Sequence, residues 1–213
     1  MKNVRIPRTT SACARTAIML TGAMMLSGLG CLTPAVRPGT QRSDVDLQAL
    51  IDAAANGTSV TIPYGTWTID APLTLDARRG LTITARPGTR ILASEIMEPV
   101  IAVSSSDSIR IENLYLRHIK PSTFYQCEGA CIALNTCNYA EVANCELSGC
   151  GAAGVYASAS HNVTVRNCNI YDCTFADIWT QYSSNILAQD NRMHGRVYQW
   201  ECTNVREQGN RSR

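Results

Sequence analysis

Short runs of alternating hydrophobic and polar residues recur between residues 60 and 195. In Ser108–Leu116, Ile109 and Ile111 alternate with polar side chains, and Asn162–Ile170 repeats this pattern. A period of two residues indicates β-strands with one buried face, whereas an amphipathic helix shows a period of 3.6. The hydrophobic pattern therefore predicts an all-β domain built from short strands.

The alternating segments are copies of one repeat. Four of them superimpose without a gap and share Asn or Asp at one equivalent position: Asn113, Asn144, Asn167 and Asp190. The spacings are 31, 23 and 23 residues, and an insertion around residues 121–129 explains the longer one. A repeat of this length fits a coil of three short strands stacked on the next coil at ~4.8 Å. The repeat predicts a parallel β-helix solenoid of about five coils over residues 43–195.

The shared Asn or Asp marks the sharp corner of each predicted coil. Asn tolerates the left-handed backbone that such a corner requires. Stacked amides can also hydrogen-bond to one another from coil to coil. Asn113, Asn144, Asn167 and Asp190 are therefore expected to form a structural ladder rather than a catalytic site.

The start of the domain predicts a capping α-helix and carries a family resemblance. Ser43–Gly57 has a helical pattern, with Ser43 as its N-cap and Gly57 at its end. Leu47–Ala54 followed by Val60–Trp67 resembles the opening of pectin-lyase-like right-handed parallel β-helix proteins, which include pectate lyases, polygalacturonases and alginate epimerases. The resemblance covers residues 43–195. It implies a right-handed solenoid with an N-terminal capping helix, and it is weak for activity because a fold does not fix a function.

Residues 1–30 have the pattern of a signal peptide. Lys2, Arg5, Arg8 and Arg15 precede a short apolar run, which falls short of the roughly 20 residues that span a membrane. The segment ending at Cys31 resembles a bacterial lipoprotein signal, which implies lipidation of Cys31 and an outer-membrane address. Soluble secretion is the alternative. Residues 31–42 are interpreted as a linker.

Net charge and the spacing of cysteine and histidine residues limit the classes of partner and ligand that the chain is expected to bind. The whole chain carries +2, and the leader contributes four cations and no anion, which leaves −2 for residues 31–213. This balance gives no electrostatic reason to expect nucleic acid. The sequence also predicts neither a cofactor nor a metal site, because it has no C-x-x-C pair and no His at ligand spacing.

Two pairs of cysteines occupy equivalent positions in adjacent coils: Cys145 with Cys168, and Cys150 with Cys173. Adjacent coils bring their Cα atoms to ~4.8 Å, within the roughly 4.4–6.8 Å that a disulfide needs. Buried thiols can equally act as small core hydrophobes. Free thiols are favoured for Cys145 and Cys168, and disulfides remain the alternative.

The alternation also predicts which side chains face outwards. Tyr156 and Trp179 lie in one exposed column, and Asn135, Ser158 and Gln181 lie in the next. An aromatic surface beside hydrogen-bonding side chains suits a sugar ring. The predicted polysaccharide-binding residues are therefore Tyr156, Trp179, Gln181 and Asn135. In the alternative interpretation, Trp179 covers the open end of the solenoid.

Catalytic candidates are fewer. Glycosidases of the usual kind use two carboxylates ~5–9 Å apart, and Asp172 and Asp177 are the pair that the sequence offers.

Residues 196–213 are interpreted as a C-terminal segment that folds over the open end, followed by a polar tail. Three functions remain: an exported polysaccharide-binding protein, a polysaccharide lyase or glycoside hydrolase, and a structural or adhesive surface lipoprotein.

Overall fold

The computed structural model of the protein describes residues 45–121 and 129–212. Within these ranges, one short helix precedes twenty strands, whose mean length is only a few residues. In chain order the elements are α1 Leu47–Asp52, β1 Ser59–Ile62, β2 Thr66–Ile69, β3 Leu73–Asp76, β4 Thr82–Ala85, β5 Arg90–Ala93, β6 Ile101–Ser104, β7 Arg110–Glu112, β8 Tyr115–His118, β9 Ile132–Asn135, β10 Glu141–Ala143, β11 Glu146–Ser148, β12 Ala153–Ser158, β13 His161–Arg166, β14 Asn169–Tyr171, β15 Ala176–Gln181, β16 Ser184–Gln189, β17 Arg192–Met193, β18 Val197–Trp200, β19 Thr203–Gln208 and β20 Arg211–Ser212.

Every third strand joins the same parallel sheet. The first sheet has the order β1-β4-β7-β10-β13-β16-β19, the second β2-β5-β8-β11-β14-β17-β20 and the third β18-β15-β12-β9-β6-β3. In the described residues the strands make six complete coils, and β19 and β20 begin a seventh. The predicted all-β parallel β-helix is confirmed, with about six coils instead of five.

Inward-facing side chains stack into aliphatic columns, as the alternation predicts. Ile111 on β7 lies beside Ile83 on β4 and Val142 on β10, and all three are buried. The equivalent inward positions of two coils are at most 2% exposed: Ile109, Ile111, Leu114, Leu116, Val163, Val165, Cys168 and Ile170. Burial of apolar surface, at about 25 cal/mol per Å², therefore holds each coil to the next.

The capping helix α1 closes the first coil. Its N-cap is Asp46, whose carboxylate accepts a hydrogen bond from the backbone N–H of Ala49 at 3.1 Å. The predicted N-cap, Ser43, lies outside the described residues. Gln48 pairs with the main chain of Thr74 on β3 through two hydrogen bonds of 2.8 and 3.1 Å. The helix thus satisfies main-chain groups on the edge strand of the third sheet, which would otherwise be open to further pairing.

The predicted corner residues adopt the predicted backbone but do not form the predicted ladder. Asn113, Asn144, Asn167 and Asp190 have φ of 61°, 54°, 53° and 52°, and their side chains are exposed. The buried ladder begins one residue later, at Asn191. Its Oδ1 atom accepts from the N–H of Cys168 at 2.9 Å, and its Nδ2 donates to the Asn210 Oδ1 at 3.1 Å. The left-handed residue points outwards, so the residue that follows it points into the core.

A second ladder of amides runs along the surface at the corner between the third and first sheets. Each Nδ2 donates to the side-chain oxygen of the preceding member, at distances of 2.6–3.1 Å. The members are Asp107, Asn138, Asn162, Asn185 and Asn204. Hydrogen bonds between side chains therefore reinforce the stacking of successive coils at both corners.

The C-terminal segment continues the solenoid, which corrects the predicted boundary at residue 195 and the predicted polar tail. β18 pairs with β15, and β19 pairs with β16 along five residue pairs. Within residues 45–121 and 129–212, β19 has a neighbouring strand on one side only, and its side chains are mostly exposed.

The proposed signal peptide, the linker at residues 31–42 and Cys31 lie outside the described residues. Among residues 45–121 and 129–212, no helix combines the length and apolar character needed to cross a membrane.

One buried histidine predicts a dependence of stability on pH. His118 on β8 is fully buried, with Nε2 2.9 Å from the carbonyl oxygen of Glu98. Burial lowers the pKa of His118 from 6.5, against the opposing effect of the Glu98 and Gly149 carbonyls. The unfolded chain therefore binds this proton more readily, and the free energy of unfolding falls as the pH drops below about 6.5.

Urea unfolding at pH values of about 7.5 and about 5.5 tests this expectation. The wild type should be more stable at the higher pH, and His118→Gln should reduce the difference between the two values. An undiminished difference in the variant would assign the effect to other groups.

Candidate functional site

Three aromatic residues lie in register on the outer face of the third sheet. Tyr156 on β12 is the strand partner of Trp179 on β15, which is in turn the partner of Tyr198 on β18. All three are half-buried. The predicted outward direction of Tyr156 and Trp179 is therefore confirmed, and the column extends by one further coil.

Phe175 completes this group, which we call the aromatic platform: Tyr156, Phe175, Trp179 and Tyr198. The ring centroid of Trp179 lies 4.9 Å from those of Tyr156 and Phe175, and that of Phe175 lies 4.7 Å from that of Tyr198. The interplanar angles of 60–67° are the tilted and edge-to-face arrangements that aromatic pairs favour. Mutual packing fixes the rings before any ligand arrives, which lowers the entropic cost of binding.

Arg196 adds a positive charge to the platform. Its guanidinium lies 5.5 Å from the ring centroid of Phe175 and 5.3 Å from that of Tyr198, within the range of cation–π attraction. The residue is exposed. Arg196 can therefore donate hydrogen bonds to a ligand that lies against the rings.

A polar column runs alongside the platform on the same face. Asn135, Ser158 and Gln181 are strand partners on β9, β12 and β15. The Nε2 of Gln181 donates to the Tyr156 hydroxyl and lies 3.3 Å from the Ser158 hydroxyl. Asn135 is exposed. The structure thus brings together the four predicted binding residues, with aromatic surface and hydrogen-bonding groups on adjacent columns.

The first sheet presents a different outer face. Glu141 accepts a hydrogen bond from Arg110 at 2.8 Å and another from Arg166, and Arg110 also pairs with Glu112 at 2.7 Å. Contacts with Glu112 and Glu141 raise the pKa of Arg110, chiefly through the hydrogen bond to Glu112. These charges are paired with one another, which leaves the third sheet as the better candidate surface.

The two predicted catalytic carboxylates have different environments. Asp177 is 1% exposed, and its Oδ2 accepts hydrogen bonds from the backbone N–H groups of His194 and Gly195, each at 2.7 Å. Burial raises the pKa of Asp177, and these two N–H groups oppose the rise. Asp172 is exposed at a corner with φ of 55°. The structure therefore corrects the prediction of a pair facing one bond, because Asp177 points into a turn of the next coil.

The cysteines in the described residues are free thiols, and five of the seven are buried. Cys145 and Cys168 are each 2% exposed, in keeping with the core thiols that the repeat predicts. The sulfur atoms of Cys150 and Cys173 lie 2.8 Å apart, and those of Cys131 and Cys150 lie 3.4 Å apart. Three thiols thus meet at one corner, where the repeat predicts two.

The sequence interpretation missed Tyr198, Phe175 and Arg196. Tyr198 could have been found from Val197–Trp200, because its alternation matches that of Ile178–Gln181 in the previous coil. Phe175 and Arg196 lie in turns before β15 and β18, where strand alternation gives no direction for a side chain. Their contribution depends on the packing of neighbouring turns.

Comparison with known proteins agrees with this architecture. A solved structure of a candidate glycosyl hydrolase from Parabacteroides merdae has a TM-score of 0.62 at 12% sequence identity, covering 73% of this chain and 81% of that one. The ORF18 protein of Geobacillus virus E2 has a TM-score of 0.56 at 13% identity, covering 78% of this chain but 36% of that one. No curated protein matches the sequence. The family described as the right-handed β-helix region matches residues 88–206, and the chain therefore belongs to that family.

Proposed function

We propose that the protein binds polysaccharide on the outer face of the third sheet, across the aromatic platform and the polar column. The observation that carries the proposal is the register of Tyr156, Trp179 and Tyr198 on three successive strands. Parallel strands repeat at ~4.8 Å, so the column offers an extended surface rather than one enclosed pocket. A linear polymer with repeated sugar rings matches such a surface.

The chemistry of the face supports the same ligand class. Sugar rings have apolar C–H surfaces that stack on aromatic rings, and hydroxyl groups that need hydrogen-bond partners. Gln181, Ser158 and Asn135 supply both donors and acceptors beside the platform. The similarity of the fold to a candidate glycosyl hydrolase is consistent with a carbohydrate ligand.

Catalysis on the same face is the second candidate. Asp172 is exposed, and it is the carboxylate of the predicted pair that a ligand on the surface can contact. Asp177 would need to leave its two backbone hydrogen bonds to serve as the second carboxylate. Binding without turnover is therefore the function that this geometry favours.

Replacement of Trp179 by Ala should weaken polysaccharide retention at least about tenfold, which corresponds to 1.4 kcal/mol of lost stacking and packing. A glycan array probed with the purified wild type and variant measures the change. Release of reducing or unsaturated ends in the same assay separates an enzyme from a binding protein. Equal retention by the two proteins would place the binding surface elsewhere.

The matched control is Tyr64→Ala, which removes an exposed aromatic side chain far along the chain from the platform. This variant should retain glycans as the wild type does. Trp179→Phe should recover part of the retention, because an aromatic ring is restored at the same position. Far-UV circular dichroism of each variant establishes that the solenoid is intact.

Export belongs to the proposal as well. Polysaccharides of cell walls and matrices lie outside the cytoplasm, and the predicted signal peptide would direct the chain there. Lipidation of Cys31 would hold the solenoid at the outer membrane, whereas its absence would give a secreted protein. Both remain predictions from the sequence.

A further inference from the structure

Three thiols form a row at the corner between the second and third sheets. Cys150 lies in the middle, with its sulfur 3.4 Å from that of Cys131 and 2.8 Å from that of Cys173. Cys131 and Cys150 are fully buried, whereas Cys173 is partly exposed. A disulfide has an S–S length of ~2.05 Å, so a small movement of one side chain would bond Cys150 to Cys173.

We propose that this row is a thiol–disulfide exchange site, in which Cys173 reacts with a small external disulfide and passes the oxidation to Cys150. The proposal is separate from polysaccharide binding and does not depend on it. The partner is any low-molecular-weight disulfide that can reach Cys173 from solvent.

The reaction balances in two steps. The Cys173 thiolate attacks one sulfur of the external disulfide, which forms a mixed disulfide and releases one small thiolate. Cys150 then attacks the Cys173 sulfur and releases the second small thiolate, leaving a Cys150–Cys173 disulfide. The two protons from Cys150 and Cys173 end on the two released thiols. One external disulfide is reduced, and two protein thiols are oxidised.

Burial and the Asp177 carboxylate both limit the rate of the first step. Burial raises the pKa of the Cys173 thiol, and the charge of Asp177 raises it further, so the attacking thiolate is a minor form at neutral pH. The backbone N–H groups of His194 and Gly195 fix this carboxylate in position.

Cys150 is protected until Cys173 has reacted. Cys150 is fully buried, so a reagent in solvent cannot contact its sulfur, and burial raises the pKa of its thiol as it does that of Cys173. Once Cys173 carries a mixed disulfide, its electrophilic sulfur already lies beside Cys150. The contact with Cys131 gives Cys150 a second partner at 3.4 Å, so a Cys131–Cys150 disulfide can form by a further exchange.

The other thiols provide internal comparisons. Cys145 and Cys168 interact with each other but are both buried, so neither sulfur can reach an external disulfide in solvent. Cys202 is partly exposed, and its sulfur lies 3.5 Å from the Thr180 hydroxyl. Because its neighbour is a hydroxyl and not a second thiol, Cys202 should form a mixed disulfide with the reagent and react no further.

The experiment exposes the reduced full-length chain to bis(2-hydroxyethyl) disulfide, blocks the remaining thiols with N-ethylmaleimide and maps disulfides by peptide mass spectrometry. The wild type should give a peptide linked through Cys150 and Cys173, and Cys202 should carry the reagent. Cys150→Ser should leave the reagent on Cys173. Cys173→Ser should reduce oxidation of Cys150 by about tenfold or more, because the exposed entry point is lost.

Cys145→Ser is the matched control for loss of a buried thiol, and it should give the wild-type pattern. Modification of Cys202 shows that the reagent was active. If Cys202 is modified but no disulfide links Cys150 to Cys173, the proposal is overturned. Equal oxidation of Cys150 in Cys173→Ser would also overturn it, because the oxidation would then enter by another route.

Discussion

Asn191→Ala should lower the free energy of unfolding by about 2–4 kcal/mol. The side chain is 1% exposed, and its Oδ1 accepts from the Cys168 N–H while its Nδ2 donates to the carbonyl oxygen of Val165 at 2.8 Å. The variant leaves a buried N–H group without its acceptor and also loses the bond to the carbonyl. Chemical denaturation at constant pH measures the change.

The matched control is Asn167→Gly, at the exposed corner position of the preceding coil. Asn167 has φ of 53°, which glycine adopts without strain, so this variant should change stability by less than about 0.5 kcal/mol. A similar loss in both variants would show that the corner backbone, rather than the buried amide, provides the stability.

Val163→Ala should cost about 2 kcal/mol, because it removes two methyl groups from the middle of an aliphatic column. Val163 on β13 is 1% exposed, and it lies beside Ile186 on β16. Well-packed neighbours on both sides restrict the collapse that could otherwise fill the cavity. Thermal or urea unfolding gives the difference directly.

Val205→Ala makes the same chemical change in the same column, at the last coil. Val205 also lies beside Ile186 but is only partly buried, since no further coil of the described part of the chain covers it. Its loss should therefore cost less than half as much as the loss of Val163. Equal costs would mean that the last coil is packed as tightly as the interior ones.

The fold could be predicted from local patterns because each coil repeats the same arrangement of buried strand positions and left-handed corners. Alternation identified the buried positions Ile109 and Ile111, and the repeated Asn identified the left-handed corners. The buried amide lies one residue after the predicted position, because the corner residue turns the chain and Asn191 after it faces inwards. The repeat does not predict the coil that contains β19, because its spacing shortens from 23 to 19 residues, from Asn185 to Asn204.

The candidate site was predicted in part, for a related reason. Tyr156 and Trp179 sit on strands, where alternation decides the direction of a side chain. Asp177 is buried because the chain around Gly195 in the next coil packs against it. A local sequence pattern does not predict this contact between coils. Features that arise between coils, such as the thiol row and the position of Arg196, depend on the register that the folded chain adopts.

The separation of inward and outward columns has a consequence for how such a protein can evolve. Substitutions at outward positions such as Trp179 or Gln181 alter the proposed binding face while the aliphatic columns stay intact. Duplication of one 23-residue unit would add a whole coil, because each coil contacts only its neighbours. Ligand specificity and chain length can therefore drift independently of the stability of the core.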